Sequence, residues 1–270
     1  MSSSPTATIE RPPRTLSALT LGARLLTLDF KRQLFSRKAL VNIVIQLLPV
    51  LIGLVAITTQ GLDGTTLFRN LISNVYLPLL IPLTALFFGG PTVINEIEGR
   101  TITYLTLRPL PRAILYLAKF GASLLTTLLI TVIPIVLLAA VCMIGASEPL
   151  GDLLPLFAGG IGAAALGAIA YTAIFAALAV LFYATLLPGI VYFVVVEMVF
   201  AAIPILELLS VRFHMRTIAG LQQERGFLAG LIADEPLAFE WWVGVLIAAF
   251  FAIAATAVAT VVFRQRQFHV

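Results

Sequence analysis

Residues 95–121 read NEIEGRTITYLTLRPLPRAILYLAKFG, and they decide how the rest of the chain is read. The stretch is a polar interruption between two long apolar segments, and it combines acids, bases and the paired prolines Pro109 and Pro111. A segment of this composition belongs in water, while its flanks have the composition of membrane spans. Within it, Asn95 is a plausible N-cap, and Glu96 and Arg100 stand four apart in the favourable order for a helical pair. In a helix from Glu96 to Leu107, the residues Ile97, Thr101, Tyr104 and Leu105 share one side. Pro109 and Pro111 end that helix. The expectation is a short surface helix with an apolar ridge between charges, suited to the groove of a partner protein.

The chain is 60% hydrophobic and 11% charged over 270 residues, with a mean hydropathy of +1.05. An ordinary soluble domain carries roughly 25% charged residues, so this chain has too little polar surface to cover itself in water. The expected fold is all-α: a polytopic membrane bundle with one transmembrane domain over 17–270, behind a mobile tail over 1–16. Six spans are expected at 39–58, 71–90, 113–144, 153–183, 188–206 and 241–263, each near the 20 residues that a bilayer requires. Residues 17–38 read as an amphipathic helix with Leu21, Leu25, Leu28 and Phe35 at helical spacing beside Arg24, Lys31 and Arg32. Such a helix lies in the membrane interface and meets lipid headgroups. Loops are expected at 60–70 and 145–152. A longer segment at 208–240 is expected to form short helices that dip toward the bilayer from the outer side, with Trp241 and Trp242 at the interface.

Orientation follows from Lys and Arg. Seven lie in the N-terminal region, four in residues 95–121 and two at the C-terminus, thirteen of the 17 on one side. The bias assigns both termini and the 95–121 stretch to the cytoplasm of a multi-pass cell-membrane protein. The net charge of +4 is accounted for by this topology, and no nucleic-acid motif accompanies it.

Catalysis by this chain is not expected, and neither is a cofactor or metal held by it. There is no G-x-x-x-x-G-K-[ST] stretch to cradle phosphates. His214 and His269 are far apart, no G-x-S-x-G or H-E-x-x-H occurs, and Cys142 is the single cysteine. Gly159, Gly160, Ala163, Ala164, Gly167 and Ala168 make a small-residue face for close helix packing. Glu197 falls near the middle of the expected fifth span, where an ionisable group costs at least ~2.5 kcal/mol and must face the bundle interior or a wet cavity. Two readings stay open there: an interhelical hydrogen bond from a protonated carboxyl, or a lining role on a translocation path together with Tyr192. Glu207 is expected at the outer mouth.

The pattern Glu96, Glu98-Gly99-Arg100-Thr101, Tyr104-Leu105, Arg108-Pro109, Arg112 and Leu117-x-Lys119 resembles that of the permease subunits of ABC-2 type transporters. Those read E-x-E-x-G-T-x-x-x-L-L-x-x-P-x-x-R-x-x-x-L-x-x-K after their second span. Here Arg100 is inserted between Gly99 and Thr101. The expected layout of a basic amphipathic helix, six spans and a long outer segment is similar as well. The resemblance implies an exporter in which two permease chains, identical or paralogous, assemble with two separate ATPase subunits that bind ATP and Mg. It makes Glu96, Ile97, Glu98, Arg100, Thr101, Tyr104, Leu105 and Arg108 the coupling helix. The alternatives are a secondary transporter that uses Glu197 as a proton relay, and a non-transporting membrane scaffold of the same fold.

Overall fold

The computed structural model describes residues 18–91, 111–184, 186–200, 203, 206–221 and 240–265. Among these the regular structure is entirely helical: α1 (Ala18–Leu34), α2 (Arg37–Gln60), α3 (Gly64–Gly89), α4 (Arg112–Ile144), α5 (Leu150–Phe182), α6 (Leu186–Val199), α7 (Val211–Ile218) and α8 (Trp241–Gln265). Helices α2, α3, α4, α5 and α8 are long and apolar enough to cross a membrane. The residues expected to form a coupling helix, from Glu96 to Arg108, lie outside the described set, as do the 1–16 tail and most of 208–240.

Local chemistry sets the helix ends. Ser36 caps α2 by accepting from the Ala39 N–H at 3.2 Å, and Gly61 ends it in the left-handed region at φ 63°, where a side chain would be strained. The 60–70 stretch is not the loop expected from sequence. Asp63 accepts from the Thr66 N–H at 2.9 Å and starts α3 at Gly64. Gly64 also donates to the Gly145 carbonyl at 3.0 Å, and a Cβ there would overlap the Cys142 carbonyl. That junction locks the start of α3 to the end of α4.

Helix α5 is the axis of the bundle, and α3, α4, α7 and α8 all pack on it. Its small residues allow this: Gly160 takes the ring of Phe68, Gly167 takes Met215, and Ala163, Ala164 and Ala168 are fully buried. The face read from the sequence is therefore a packing face. Close approach gains dispersion contacts in lipid, where burial between helices has no hydrophobic drive.

Helix α1 lies along the first turns of α4. Gly22 sits against Ile114 and Gly121 against Leu26. Lys119 pairs with Asp29 at 2.9 Å, and Gln33 donates to Ser123 at 3.1 Å. Leu28 and Phe35 remain exposed, as befits a helix lying along a bilayer surface.

The fifth crossing departs from expectation. In place of one span over 188–206, α6 consists of two seven-residue runs, the second of them π-helical, and reaches only about 21 Å against the ~30 Å of hydrocarbon.

Replacing Asp63 with Ala should destabilise the α3 start by about 1 kcal/mol, read by thermal unfolding in detergent. The Thr66 N–H holds this carboxyl below its ordinary value. The cap is therefore complete above the unfolded-state pKa of roughly 4 and fades as pH falls through the lower folded value. The stability difference between wild type and Asp63→Ala should shrink over that acid window.

Candidate functional site

Polar groups inside a membrane bundle are costly and mark the places where the chain does something other than span. Two such places among the described residues lie where a helix departs from regular geometry.

The first is the middle of α3. Residues Ile72–Leu80 are π-helical, with Pro78 inside the stretch and Pro82 just after it. In a π-helix each N–H donates five residues back, as Ile81 does to Tyr76. Pro78 has no N–H, so the carbonyl five residues earlier, that of Ser73, loses its helical donor. Arg216 of α7 supplies a replacement, its Nη2 donating to Ser73 O at 3.2 Å. Nearby, Gln46 of α2 donates to Thr84 Oγ1 at 2.7 Å and to Leu80 O at 3.3 Å, and Thr84 lies 2.9 Å from Asn42 Oδ1. The Tyr76 hydroxyl donates to Gln46 O at 2.7 Å. All five side chains of this α2–α3 cluster (Asn42, Gln46, Tyr76, Thr84 and their neighbour Leu80) are buried.

The second place is the break between α6 and α7. Gly189 at the start of α6 packs on Leu86 and Phe175, Met215 of α7 on Gly167, and Ala219 just beyond α7 on Gly159. Followed from its C-terminal third toward its start, α5 thus meets α6 first and α7 second. The two half-length helices stand in series, together about 33 Å long, which matches the hydrocarbon core. Two short helices thus follow one another along a single track on α5.

Glu197 sits in the break and is 2% exposed. Its carboxylate accepts from Ser210 Oγ at 2.7 Å, the Val211 N–H at 3.0 Å, the Arg212 N–H at 3.3 Å and the Tyr192 hydroxyl at 3.5 Å. Those two N–H groups are among the four at the α7 N-terminus that have no partner within the helix, and the helix dipole there favours a negative charge. Ser210 is the N-cap of α7 and also accepts from the Phe213 N–H at 3.4 Å. Neither sequence reading of Glu197 anticipated this. The carboxyl oxygens accept from the N-cap and backbone at the start of the next helix.

An aromatic wall backs the break: Tyr171 stacks on Phe175, and Phe175 meets Tyr192 edge-on with centroids 5.8 Å apart. Tyr192 is therefore brought to Glu197. Glu207 lies on a 3-10 turn (Leu206–Leu209) leading to Ser210 and is buried, not solvated at an outer mouth. His214 bonds to Leu208 O at 2.9 Å. No group of three or more His, Cys, Asp or Glu side chains that could hold a metal occurs among the described residues.

Sequence reasoning missed Ser73, Ser210 and Arg216, and it missed the Asn42, Gln46 and Thr84 cluster. Asn42 and Gln46 carry a visible signal, two amides four residues apart inside an apolar span. Comparison with protein-family models and with curated proteins returns no match for this chain.

Glu197→Ala leaves the Ser210 hydroxyl and two backbone N–H groups without their acceptor, a loss of about 1–3 kcal/mol for a buried group. Glu197→Gln retains one acceptor oxygen and should cost less. Hydrogen exchange at Val211–Phe213 should quicken in the order wild type, Gln, Ala. Equal exchange in all three would show that the carboxylate does not hold the α7 N-terminus.

Proposed function

We propose that this chain is the membrane permease subunit of an ATP-driven exporter of the ABC-2 type. The observation that carries the reading is the meeting of the short helices α6 and α7 at a buried carboxylate, beside five helices long enough to span; we read the pair as a broken fifth crossing. Interrupted helices recur where a membrane protein must open a path, because irregular backbone at that depth is tolerated only inside protein or beside a cavity. The resemblance of residues 95–121 supplies the energy source: separate ATPase subunits that bind ATP and Mg, docked on Glu96, Ile97, Glu98, Arg100, Thr101, Tyr104, Leu105 and Arg108.

The connectivity supports such coupling. Residues 92–110 join α3 directly to α4. The first turns of α4 are braced by α1 through Lys119–Asp29, so α1 and α4 form a firm abutment. Helix α3, tied at its start to the end of α4, carries the link onward, since its Ser73 carbonyl reaches α7 through Arg216. Two copies of the chain, or one and a paralogue, would enclose the path, with both termini in the cytoplasm and the protein in the cell membrane.

Broken helices also favour a second reading, a secondary carrier in which Glu197 relays protons. Against it, the carboxylate is already engaged by four donors, which suits a cap better than a relay. Transport that survives ATP depletion in proteoliposomes, and fails on Glu197→Gln, would select the carrier.

The decisive experiment is co-purification of the chain from its native membrane. An ATPase subunit should accompany it, and Tyr104→Glu with Leu105→Glu should release that subunit while the permease stays monodisperse. Retention of the subunit by the double variant would sink the coupling assignment.

A further inference from the structure

Between α4, α5 and α8 the bundle leaves a groove of about 520 Å³, within the roughly 300–1,000 Å³ range of small-molecule sites. Phe120 and Leu124 form one wall, Ile169 the floor, and Ala252, Thr256 and Val261 the other wall. The groove exists because α8 presents Ala and Thr where its neighbours present large side chains.

No polar group is offered to a ligand inside it. The Thr256 hydroxyl donates to Ala252 O at 2.8 Å, and Thr260 donates to Thr256 O at 2.7 Å, so both are turned onto their own helix. Water needs two to four polar partners to occupy a cavity, and this groove has none to give. Its occupant is therefore apolar. The Phe120 ring on its wall stacks on Tyr116, which meets Phe263 of α8 at a tilt.

The charge at the mouth is one-sided. Arg264 is exposed and follows Thr260 and Val261 by four and three residues, which places it on their face of α8. Lys119, next to Phe120, is engaged by Asp29, so Arg264 is the cation on the groove's own helix face. A guanidinium above an apolar slot complements a phosphate above a hydrocarbon chain.

We propose that this groove binds one acyl chain of a bilayer phospholipid, with the phosphate of an anionic headgroup held by Arg264. The chain restores the dispersion contacts that the lining atoms of a void forfeit. The site lies in the leaflet at the C-terminal end of α8, the cytoplasmic one in the orientation argued above. It does not depend on the permease reading, since any function built on this bundle would carry it.

The test uses the full chain reconstituted in bilayers containing phosphatidylglycerol with a photoactivatable diazirine near the end of one acyl chain. Label should concentrate on the peptides bearing Phe120–Leu124 and Ala252–Val261. Ala257 lines the same groove from an exposed position, so Ala257→Phe should fill the groove without disturbing the core and remove most of that label. Arg264→Gln should leave the label in place but cut its preference for phosphatidylglycerol over phosphatidylcholine roughly fivefold. Three results would overturn the proposal. One is label spread evenly over the lipid-facing sides of α2 and α8, the mark of ordinary annular lipid. Another is label unchanged by Ala257→Phe. The third is protection of this face that grows with protein density, which assigns the groove to a second copy.

Discussion

Backbone N–H and C=O groups in a bilayer have no water to turn to, and the architecture of this chain depends on how it answers that constraint. The five long helices answer it largely within themselves. The stretch that holds α6 and α7 cannot, because α7 restarts at Ser210, whose backbone is extended. The start of α7 would present bare N–H groups to hydrocarbon, and each unsatisfied group costs several kcal/mol there. Glu197 and Ser210 close that account between them. The π-helical stretch of α3 raises the same problem on the acceptor side, and Arg216 answers it for Ser73. Both solutions converge on α7, a helix of only eight residues.

Packing on α5 is the complement to these polar fastenings. In lipid, helices gain from close contact rather than from leaving water. The alternation of Gly and Ala along one side of α5 lets Phe68, Met215 and Ile81 approach its backbone. Such a face offers few interlocking side chains, so neighbours can shift along it at modest cost. The fastenings at Glu197 and Arg216 are directional and are lost abruptly with distance. The bundle thus combines a smooth axis with a few discrete clasps.

Composition made the membrane class legible, because 60% apolar content over 270 residues leaves no soluble alternative. Five of the expected spans and the small-residue face of α5 were equally readable, since each depends on a property that adds up residue by residue. The broken crossing was not readable that way. Residues 186–206 form a nearly unbroken apolar run, and hydropathy does not register where a helix stops. Pro204 was a hint, although proline is common within spans. The extended residue from which α7 starts is Ser210, six residues further on. Glu197 stood out as an acid inside a span, but its partners lie thirteen to fifteen residues further on in a segment that reads as an outer loop. The Arg216–Ser73 contact joins residues 143 apart, and no local pattern announces it. The early start of α3 was legible in principle, for Asp63 followed by Gly64, Thr65 and Thr66 is a serviceable cap. It was outweighed by the polar composition of 60–70.

The two clasps constrain how the bundle can move. Suppose α3 slides along α5. If α7 stays behind, the Ser73 carbonyl loses the donor that stands in for the absent Pro78 N–H, in a place without water. If α7 follows while α6 stays behind, Glu197 and the N-terminus of α7 part, leaving a buried carboxylate opposite bare N–H groups. Parting a buried carboxyl from several donors at once is the costlier failure, because each buried polar group left unsatisfied costs about 1–3 kcal/mol. Sliding over the Gly and Ala residues of α5 sacrifices only contacts of about 0.1–0.2 kcal/mol each, many of which re-form one step along. A displacement that keeps both clasps closed carries α3, α7 and α6 together against α5, with α2 following through its buried bonds to Thr84 and Tyr76. The Glu197 clasp, being the stronger, holds the two halves of the broken crossing as one body. Arg216, a long side chain reaching a neutral carbonyl, is the more compliant joint of the two.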